Sequence, residues 1–147
     1  MIEQIKTVER LAEYVPHLVQ VFQKKRKIFD EDLTEEEFIS RLFSYFRDKS
    51  NLYFGRLIKD KLEFFICCFS IPDKTKNVKF IWFLYVDAKR HQYTYDWLDL
   101  CKEYCKVHGI DELRFETFRL TRSYRRFTKK VGAKPMSIIY NINLKEN

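Results

Sequence analysis

The sequence predicts an α+β fold in which helices flank a mixed, mostly antiparallel sheet. An apolar run from Phe80 to Val86 is followed by a helix that Gly109 ends. Two strand-like runs, 51–58 and 62–71, are separated by only three residues, which predicts an antiparallel hairpin. Near the end of the chain, Met136–Leu144 carries apolar residues at every second position, as a half-buried strand does. The predicted element order is β-α-α-β-β-β-α-β-α-β.

The N-terminal segment is predicted to begin with a short strand over residues 1–6, which is followed by helix. Thr7 is a suitable cap for a brief helical turn. Pro16 is expected at the first position of a longer helix that runs to about Lys27, because a proline there gives up no intrahelical hydrogen bond. The basic run 24–27 would then lie at the helix C-terminus, where cations interact favourably with the dipole.

A second helix is predicted from about Glu35 to Arg47. Thr34 and Glu37 have the spacing of a capping box, and the apolar residues that follow recur at helical intervals. The two strand-like runs come next, so the first half of the sheet is expected to follow this helix directly.

The C-terminal half is predicted to contain two helices with a strand, Leu113–Phe118, between them. Gly109 and Gly132 are expected to follow these helices as left-handed C′ residues. Asp96 is expected as the N-cap of the first of the two helices, with Asp99 in its first turn.

The composition predicts one domain, 1–147, with a single core. The chain has 147 residues, of which 46% are hydrophobic and 17% aromatic. No apolar run approaches the roughly 20 residues of a membrane span, and the first residues lack the apolar core of a signal peptide. We therefore expect a cytoplasmic protein that does not contact membranes. The net charge of +7 permits a nucleic acid, an anionic cofactor or an acidic protein as partner and selects none of them.

The cysteines are expected to be reduced and to bind no metal. Cys67 and Cys68 are adjacent in a predicted strand, so their side chains point to opposite faces and cannot easily bridge. Cys101, Cys105 and His108 share one helix face, but neighbouring residues on it are large and apolar or aromatic. That environment favours core packing over a metal site.

Two C-terminal segments follow a known pattern. Residues 84–87 end a strand before a loop and a helix, and 126–133 read RFTKKVGA after the segment 116–119, which reads ETFR. These segments resemble the GNAT superfamily of N-acetyltransferases, in which the loop reads Gln/Arg-x-x-Gly-x-Gly/Ala and the later segment reads RFYEKLGF. The topology is similar over the whole chain. The resemblance implies the GNAT fold and, for an active member, acetyl-CoA as cofactor.

The loop of this pattern is altered here. Aligned on Arg90 or His91, the pattern places Thr94 and Asp96 where the family has small residues. None of the three glycines of the chain remains for this loop. In the family, the pyrophosphate lies against backbone N–H groups at the helix N-terminus, and an Asp96 carboxylate there would repel it.

The resemblance leaves the catalytic groups open. Its tyrosine that protonates the leaving thiolate corresponds to Thr128, whose hydroxyl is a poorer acid, and Tyr124 lies one turn earlier as a substitute. Glu116, Glu63 and Asp87 are the candidates for a general base. In an alternating strand, Glu116 is equally consistent with a solvated face.

Several residues could still hold coenzyme A. Positive charge precedes the loop, strand backbone could bond a pantetheine amide, and a basic stripe on the last helix could meet a 3′-phosphate. The candidate cofactor-binding residues are Tyr85, Val86, Lys89, Arg90, His91, Thr94, Asp96 and Arg126.

Three functions are consistent with the sequence. We favour a GNAT-fold protein that has lost catalysis, binds no cofactor and acts as a structural or protein-interaction module, for instance within a phage virion. The alternative is a divergent acetyl-CoA-dependent N-acetyltransferase that uses Tyr124. The third is a nucleic-acid-binding module, in which aromatic residues interleave with a basic stripe formed by Arg119, Arg122, Arg126 and Lys130.

Overall fold

The computed structural model describes residues 1–24, 32–87, 89–90, 92–115, 126, 128–130 and 132–133. The chain divides into two compact units, Met1–Glu116 and Thr117–Asn147. The expectation of a single domain over 1–147 stays a prediction. The predicted strand Met136–Leu144 lies outside the described residues.

The described part of the first unit contains three helices and a five-stranded sheet. The elements are, in chain order, β1 (Glu3–Gln4), α1 (Val8–Lys24), α2 (Glu35–Phe46), β2 (Leu52–Ile58), β3 (Lys61–Ile71), β4 (Val78–Val86), α3 (Gln92–His108) and β5 (Glu112–Phe115). The strands are arranged in the order β1-β2-β3-β4-β5. Among the described strands, only the β4–β5 pair is parallel, so the predicted α+β fold with a mixed, mostly antiparallel sheet is confirmed.

Helix α1 is one continuous helix, which corrects the prediction that a new helix begins at Pro16. The Thr7 hydroxyl accepts the N–H of Arg10 at 3.1 Å and so caps the helix at its start. Pro16 lies inside the helix on its exposed side, and Ala12, whose carbonyl loses its helical partner, is exposed as well. A continuous buried face outweighs the proline penalty; it consists of Leu11, Tyr14, Leu18 and Phe22.

The second helix and the hairpin agree with the local sequence signals. The Thr34 hydroxyl accepts the N–H of Glu37 at 3.2 Å, which confirms the predicted cap of α2. The turn between β2 and β3 passes through Lys59 and Asp60, which have φ angles of 49° and 59°. Two consecutive left-handed residues are typical of the tight hairpin turn that matches the twist of the strands.

The sheet contains two β-bulges that change which side chains share a face. Arg56 pairs with Phe64 and the next residue of β2 pairs with Leu62, so Glu63 is an extra residue on β3. In the same way, Trp82 is an extra residue on β4. A bulge turns the side chain of the extra residue towards a face that simple alternation would not assign to it.

Both faces of the sheet are covered. A cluster that includes Tyr14, Phe38 and Phe65 packs between the sheet and the helices α1 and α2. A second cluster, which includes Phe64 and Trp97, packs under α3. The sheet is therefore a central layer, and its functional surfaces are its ends and edges.

Helix α3 begins at Gln92, which corrects the prediction of an Asp96 N-cap. The first turn is held by Tyr93, whose ring packs edge-on against Phe64 with centroids 6.4 Å apart. This contact with the sheet starts the helix five residues before the point where an Asp96 cap would start it. The helix ends as predicted, because Gly109 follows it with a φ of +64°.

The described part of the second unit has the predicted helix end. Arg126 and residues 128–130 are helical, and Gly132 has a φ of +74°. The N–H of Ala133 donates to the carbonyl of Thr128 at 2.9 Å and that of Gly132 to Lys129 at 3.2 Å. These two bonds form a Schellman motif and confirm Gly132 as the C′ residue.

Candidate functional site

The C-terminal end of β4 is where most of the predicted site residues of the first unit meet. β4 pairs with β5 only from Val78 to Ile81 within the described residues, and the bulge at Trp82 follows immediately. Beyond the bulge, the strand continues to pair with β3 on its other side. The end of β4 at Val86 is therefore held on one edge by the sheet.

The backbone of β4 alternates between its two edges. The N–H of Asp87 donates to the carbonyl of Glu63 at 2.9 Å, which makes this a hydrogen-bonded pair. Alternation from this pair turns the backbone of Tyr85 towards β3 and that of Leu84 and Val86 towards the opposite edge. Of the two strand residues that were predicted to hold a pantetheine amide, Val86 presents its N–H and C=O on the edge away from β3.

Hydrogen bonds from two backbone N–H groups tie Lys89 and Arg90 to Asp87. The N–H of Lys89 donates to the Asp87 carboxylate at 3.0 Å, and the N–H of Arg90 donates to the Asp87 carbonyl at 2.8 Å. Lys61 forms an ion pair with the same carboxylate at 3.1 Å. These donors, the Lys89 N–H foremost, lower the pKa of Asp87. An ionised, fully engaged carboxylate is a weak base, so the geometry gives Asp87 a structural part in the turn.

The start of α3 is free of acidic residues in its first turn. Asp96 lies inside the helix, and the predicted loop position of Thr94 also falls in the helical backbone. The turn that precedes the helix carries Lys89 and Arg90, both exposed. Positive side chains and the positive end of the helix dipole therefore lie at the same end of the sheet.

Glu63 is buried next to this turn, with 7% of its surface exposed. Its Oε2 accepts the hydroxyl of Tyr93 at 2.8 Å and Nε of Arg56 at 2.9 Å, and its Oε1 lies 3.7 Å from Nε of Arg90. The Tyr93 hydrogen bond first, and then the two arginines, lower the pKa of this carboxyl group despite its burial. Glu63 is therefore ionised and poorly suited to accept a proton near neutral pH.

A groove of about 370 Å³ opens beside the end of β4. It lies between α1, the β2–β3 turn and the last residues of β4. Its lining residues are His17, Gln20, Val21, Lys24, Asp60, Lys61, Leu62, Tyr85, Val86 and Asp87. Burial raises the pKa of Tyr85, so its phenol stays protonated at neutral pH. The groove and the Lys89–Arg90 turn thus meet at Val86 and Asp87.

Several of the remaining predicted site residues fall outside the part of the chain that the structure describes. Glu116, Tyr124, His91, Arg119 and Arg122 lie outside the described residues. In the second unit, Arg126 and Lys130 are exposed on helical backbone. The nucleic-acid surface and the Tyr124 acid stay predictions.

Sequence reasoning missed three residues of this site. Arg56 lies in a strand without a motif, Tyr93 was assigned to a loop, and His17 was assigned only to a helix. The available signal was that Arg56 and Glu63 carry opposite charges on neighbouring strands. It indicates an ion pair only when the bulge that leaves Glu63 unpaired is known. His17 gave no signal before the groove was seen.

Among the described residues, no helix combines the length and apolarity needed to cross a membrane. Within the same residues, no group of three or more metal-ligating side chains is close enough to hold an ion. Cys67 and Cys68 are buried, and neither forms a disulfide.

No protein-family model matches this sequence, and no curated protein sequence matches it either. Solved structures do match. A ribosomal-protein-alanine N-acetyltransferase from Brucella melitensis biovar Abortus is 14% identical, with 98% of each chain covered and a TM-score of 0.66. An aminoglycoside acetyltransferase from an uncultured soil metagenomic sample, in complex with sisomicin, is also 14% identical, with coverages of 98% and 95% and a TM-score of 0.68. AAC(6')-Iy, in complex with a bisubstrate analog of CoA, is 11% identical, with 97% of both chains covered and a TM-score of 0.69.

Proposed function

We propose that this chain, which has the fold of the GNAT acetyltransferases, binds acetyl-CoA at the C-terminal end of β4 and acts as an N-acetyltransferase. The observation that carries the proposal is the start of α3 at Gln92. The sequence alone had placed Asp96 and Asp99 at the helix start, where they would repel a diphosphate. With the helix five residues longer, Lys89 and Arg90 precede its N-terminus instead.

The donors at this position suit the anionic part of the cofactor. Backbone N–H groups of a helix N-terminus bind anions, and arginine binds phosphate through two parallel N–H groups. Arg90 lies with its Nε 3.7 Å from the Glu63 carboxylate. Its two terminal amino groups would then be used for a phosphate. Lys89 would add a second positive charge without a fixed direction.

The edge of β4 suits the pantetheine arm. Val86 directs its N–H and C=O away from β3, and an extended amide could bond to them as an added strand does. When bound, acetyl-CoA supplies the acetyl group as a thioester. The thioester would then lie near Val86 and Asp87, which also line the groove.

The groove beside α1 would admit the acceptor amine. An acceptor ammonium must lose a proton before its nitrogen can attack a carbonyl carbon. His17 lines the groove, and imidazole is the side chain that accepts protons most readily near neutral pH. We assign it the role of proton acceptor in place of Asp87, which the turn and Lys61 occupy.

A second candidate function is a protein that binds acetyl-CoA without transferring the acetyl group. The observation that favours it is that Glu63 and Asp87, the two candidate bases in the described residues, each have several donors and a lowered pKa. The structural module that the sequence favoured is a further alternative, in which the protein neither binds acetyl-CoA nor transfers the acetyl group.

Thermal unfolding with and without millimolar acetyl-CoA tests the proposal. A ligand that binds only the native state at about 100 times its Kd stabilises it by roughly 2.7 kcal/mol. We expect a clear rise in Tm for the wild type and a smaller rise for the double variant Lys89→Gln/Arg90→Gln. Lys102→Gln/Lys106→Gln, with the same charge change on the later turns of α3, is the matched control and should behave as wild type.

Turnover separates the two candidates. Mass spectrometry of CoA formation with sisomicin and with an alanine-initiated peptide as acceptors would reveal transfer. With an accepted amine, His17→Gln is expected to lower kcat by about tenfold or more. A rise in Tm without transfer to any amine would favour the binding protein, and no rise in a folded protein would favour the structural module.

A further inference from the structure

Glu63 carries a charge in an otherwise apolar part of the sheet. Its neighbours on that face include Phe64 and Ile66, which are fully buried. A buried carboxylate is costly unless donors surround it. The bulge on β3 supplies the geometry, because it turns Glu63 towards Arg56 and the first turn of α3.

The contacts of Glu63 join three separate segments of the chain. Arg56 comes from β2, Arg90 from the turn before α3 and Tyr93 from the first turn of α3. The Arg56 guanidinium also lies 5.5 Å from the centroid of the Tyr93 ring, within range of a cation–π contact. The Tyr93 N–H donates to the Arg90 carbonyl at 3.1 Å, so side chain and backbone fix the same turn.

Distance from Glu63 and exposure to solvent distinguish the two arginines. The Arg56 side chain is 21% exposed and its Nε is fully committed at 2.9 Å, whereas the Arg90 side chain is 57% exposed and approaches Glu63 only to 3.7 Å. One carboxylate against two guanidinium groups leaves the cluster with a net positive charge. Arg90 is thus anchored on one side and accessible on the other.

We propose that Glu63 is a positioning residue: through Tyr93 and the Arg90 ion pair, it holds the Arg90 guanidinium where it contacts the diphosphate of acetyl-CoA. This inference rests on the proposed function. The diphosphate would meet a side chain whose direction is already set, so that less conformational freedom is lost on binding. Glu63 itself would not touch the cofactor.

Calorimetric titration of the full chain with dephospho-CoA and with pantetheine tests the inference. Both ligands lack the 3′-phosphate, and only dephospho-CoA has the diphosphate. We expect the wild type to prefer dephospho-CoA, and Arg90→Gln and Glu63→Gln each to reduce that preference by about tenfold, the loss of roughly one charge-assisted contact. Tyr93→Phe keeps the ring and removes only the hydroxyl, so a smaller reduction in the same direction is expected.

Glu112→Gln is the matched control. Glu112 also holds an arginine and a lysine, Arg114 at 2.9 Å and Lys76 at 2.6 Å, but it pairs with Val78 at the other end of β4. At about 3.3 Å per residue, Val78 and Val86, the two ends of β4, lie roughly 26 Å apart. The ligand preference of this variant should equal that of the wild type.

The outcomes separate the two proposals. A wild type that binds neither ligand overturns the proposed function and this inference together. A wild type that binds both equally overturns the positioning role and the proposed diphosphate contact before α3, and the Tm test with acetyl-CoA then decides the proposed function. A preference that Glu63→Gln and Tyr93→Phe leave unchanged overturns the positioning role alone. Equal loss of affinity for both ligands in Glu63→Gln would show a purely structural role. If Glu63→Gln does not fold, the preference of Tyr93→Phe for dephospho-CoA over pantetheine decides whether the positioning role stands.

Discussion

Replacing Gly55 by alanine would bring a methyl group into the ring of Tyr14. The added Cβ would lie 2.6 Å from Cε1, 2.8 Å from Cζ and 2.9 Å from the hydroxyl oxygen of that tyrosine. Tyr14 is fully buried between α1 and the sheet, so its ring cannot rotate into solvent. The strand residue and the helix residue must therefore separate, or the ring must leave its preferred rotamer.

The size of the effect follows from two opposing contributions. Overpacking a core costs about 1–3 kcal/mol, and the reduced freedom of the unfolded chain in a glycine-to-alanine change returns about 0.4–1 kcal/mol. A net loss of about 1–2 kcal/mol in the free energy of unfolding is expected. With an unfolding entropy of roughly 2.1 cal/mol/K for each of 147 residues, Tm should fall by about 3–6 °C.

Urea and thermal unfolding followed by circular dichroism measure this loss. The same substitution in a Tyr14→Leu background is the control, because the smaller side chain leaves room for the methyl group. The two changes should then be coupled by about 1 kcal/mol. Wild-type stability in Gly55→Ala, or an equal loss in both backgrounds, would refute the steric explanation.

Three further predictions concern the cap of α2, the buried carboxylate and a buried thiol. Thr34→Ala should lower the free energy of unfolding in urea by about 1 kcal/mol, while Thr34→Ser should keep the cap; equal stability of both variants would show that the hydroxyl is dispensable. The folded-state pKa of Glu63 lies below its ordinary value of 4.5, so its ionised form stabilises the fold above that pH. This stabilisation is lost as the pH falls through the lower folded-state pKa, so the stability gap between wild type and Glu63→Gln should narrow on acidification, and a constant gap would contradict this. Burial raises the pKa of Cys67 to about 12, so mass spectrometry should find no alkylation of this thiol in the native protein at about pH 8 and rapid alkylation in urea; alkylation of the native protein would show an accessible thiol.

The sequence correctly predicted those parts of the fold that depend on a few neighbouring residues, such as helix caps and tight turns. The cap at Thr34, the hairpin turn and the glycine at 109 each depend on a few neighbouring residues and are found as expected. The start of α3 and the continuity of α1 through Pro16 were predicted wrongly. In both cases tertiary packing decides: Tyr93 packs on the sheet and extends one helix, and the buried face of the other spans its proline.

The site was predictable only in part, for a related reason. The strand end near Val86 and the cations Lys89 and Arg90 are adjacent in sequence, so a motif comparison found them. The interactions of Glu63 are not visible in the sequence, because a bulge breaks the period of two and its partners come from distant segments. Which residues share a face depends on register, and register depends on the whole sheet.

The edge of β4 also has a kinetic consequence. Amide N–H groups at 83 and 85 belong to the hydrogen-bonded pairs with β3, whereas those at 84 and 86 face the other edge. Within the described part of the chain, β5 covers that edge only up to Ile81. Native-state hydrogen exchange along this strand should therefore alternate between slow and fast from one residue to the next. A ligand that adds its own amide to the edge would slow the exchange at Val86 and leave Tyr85 as it was.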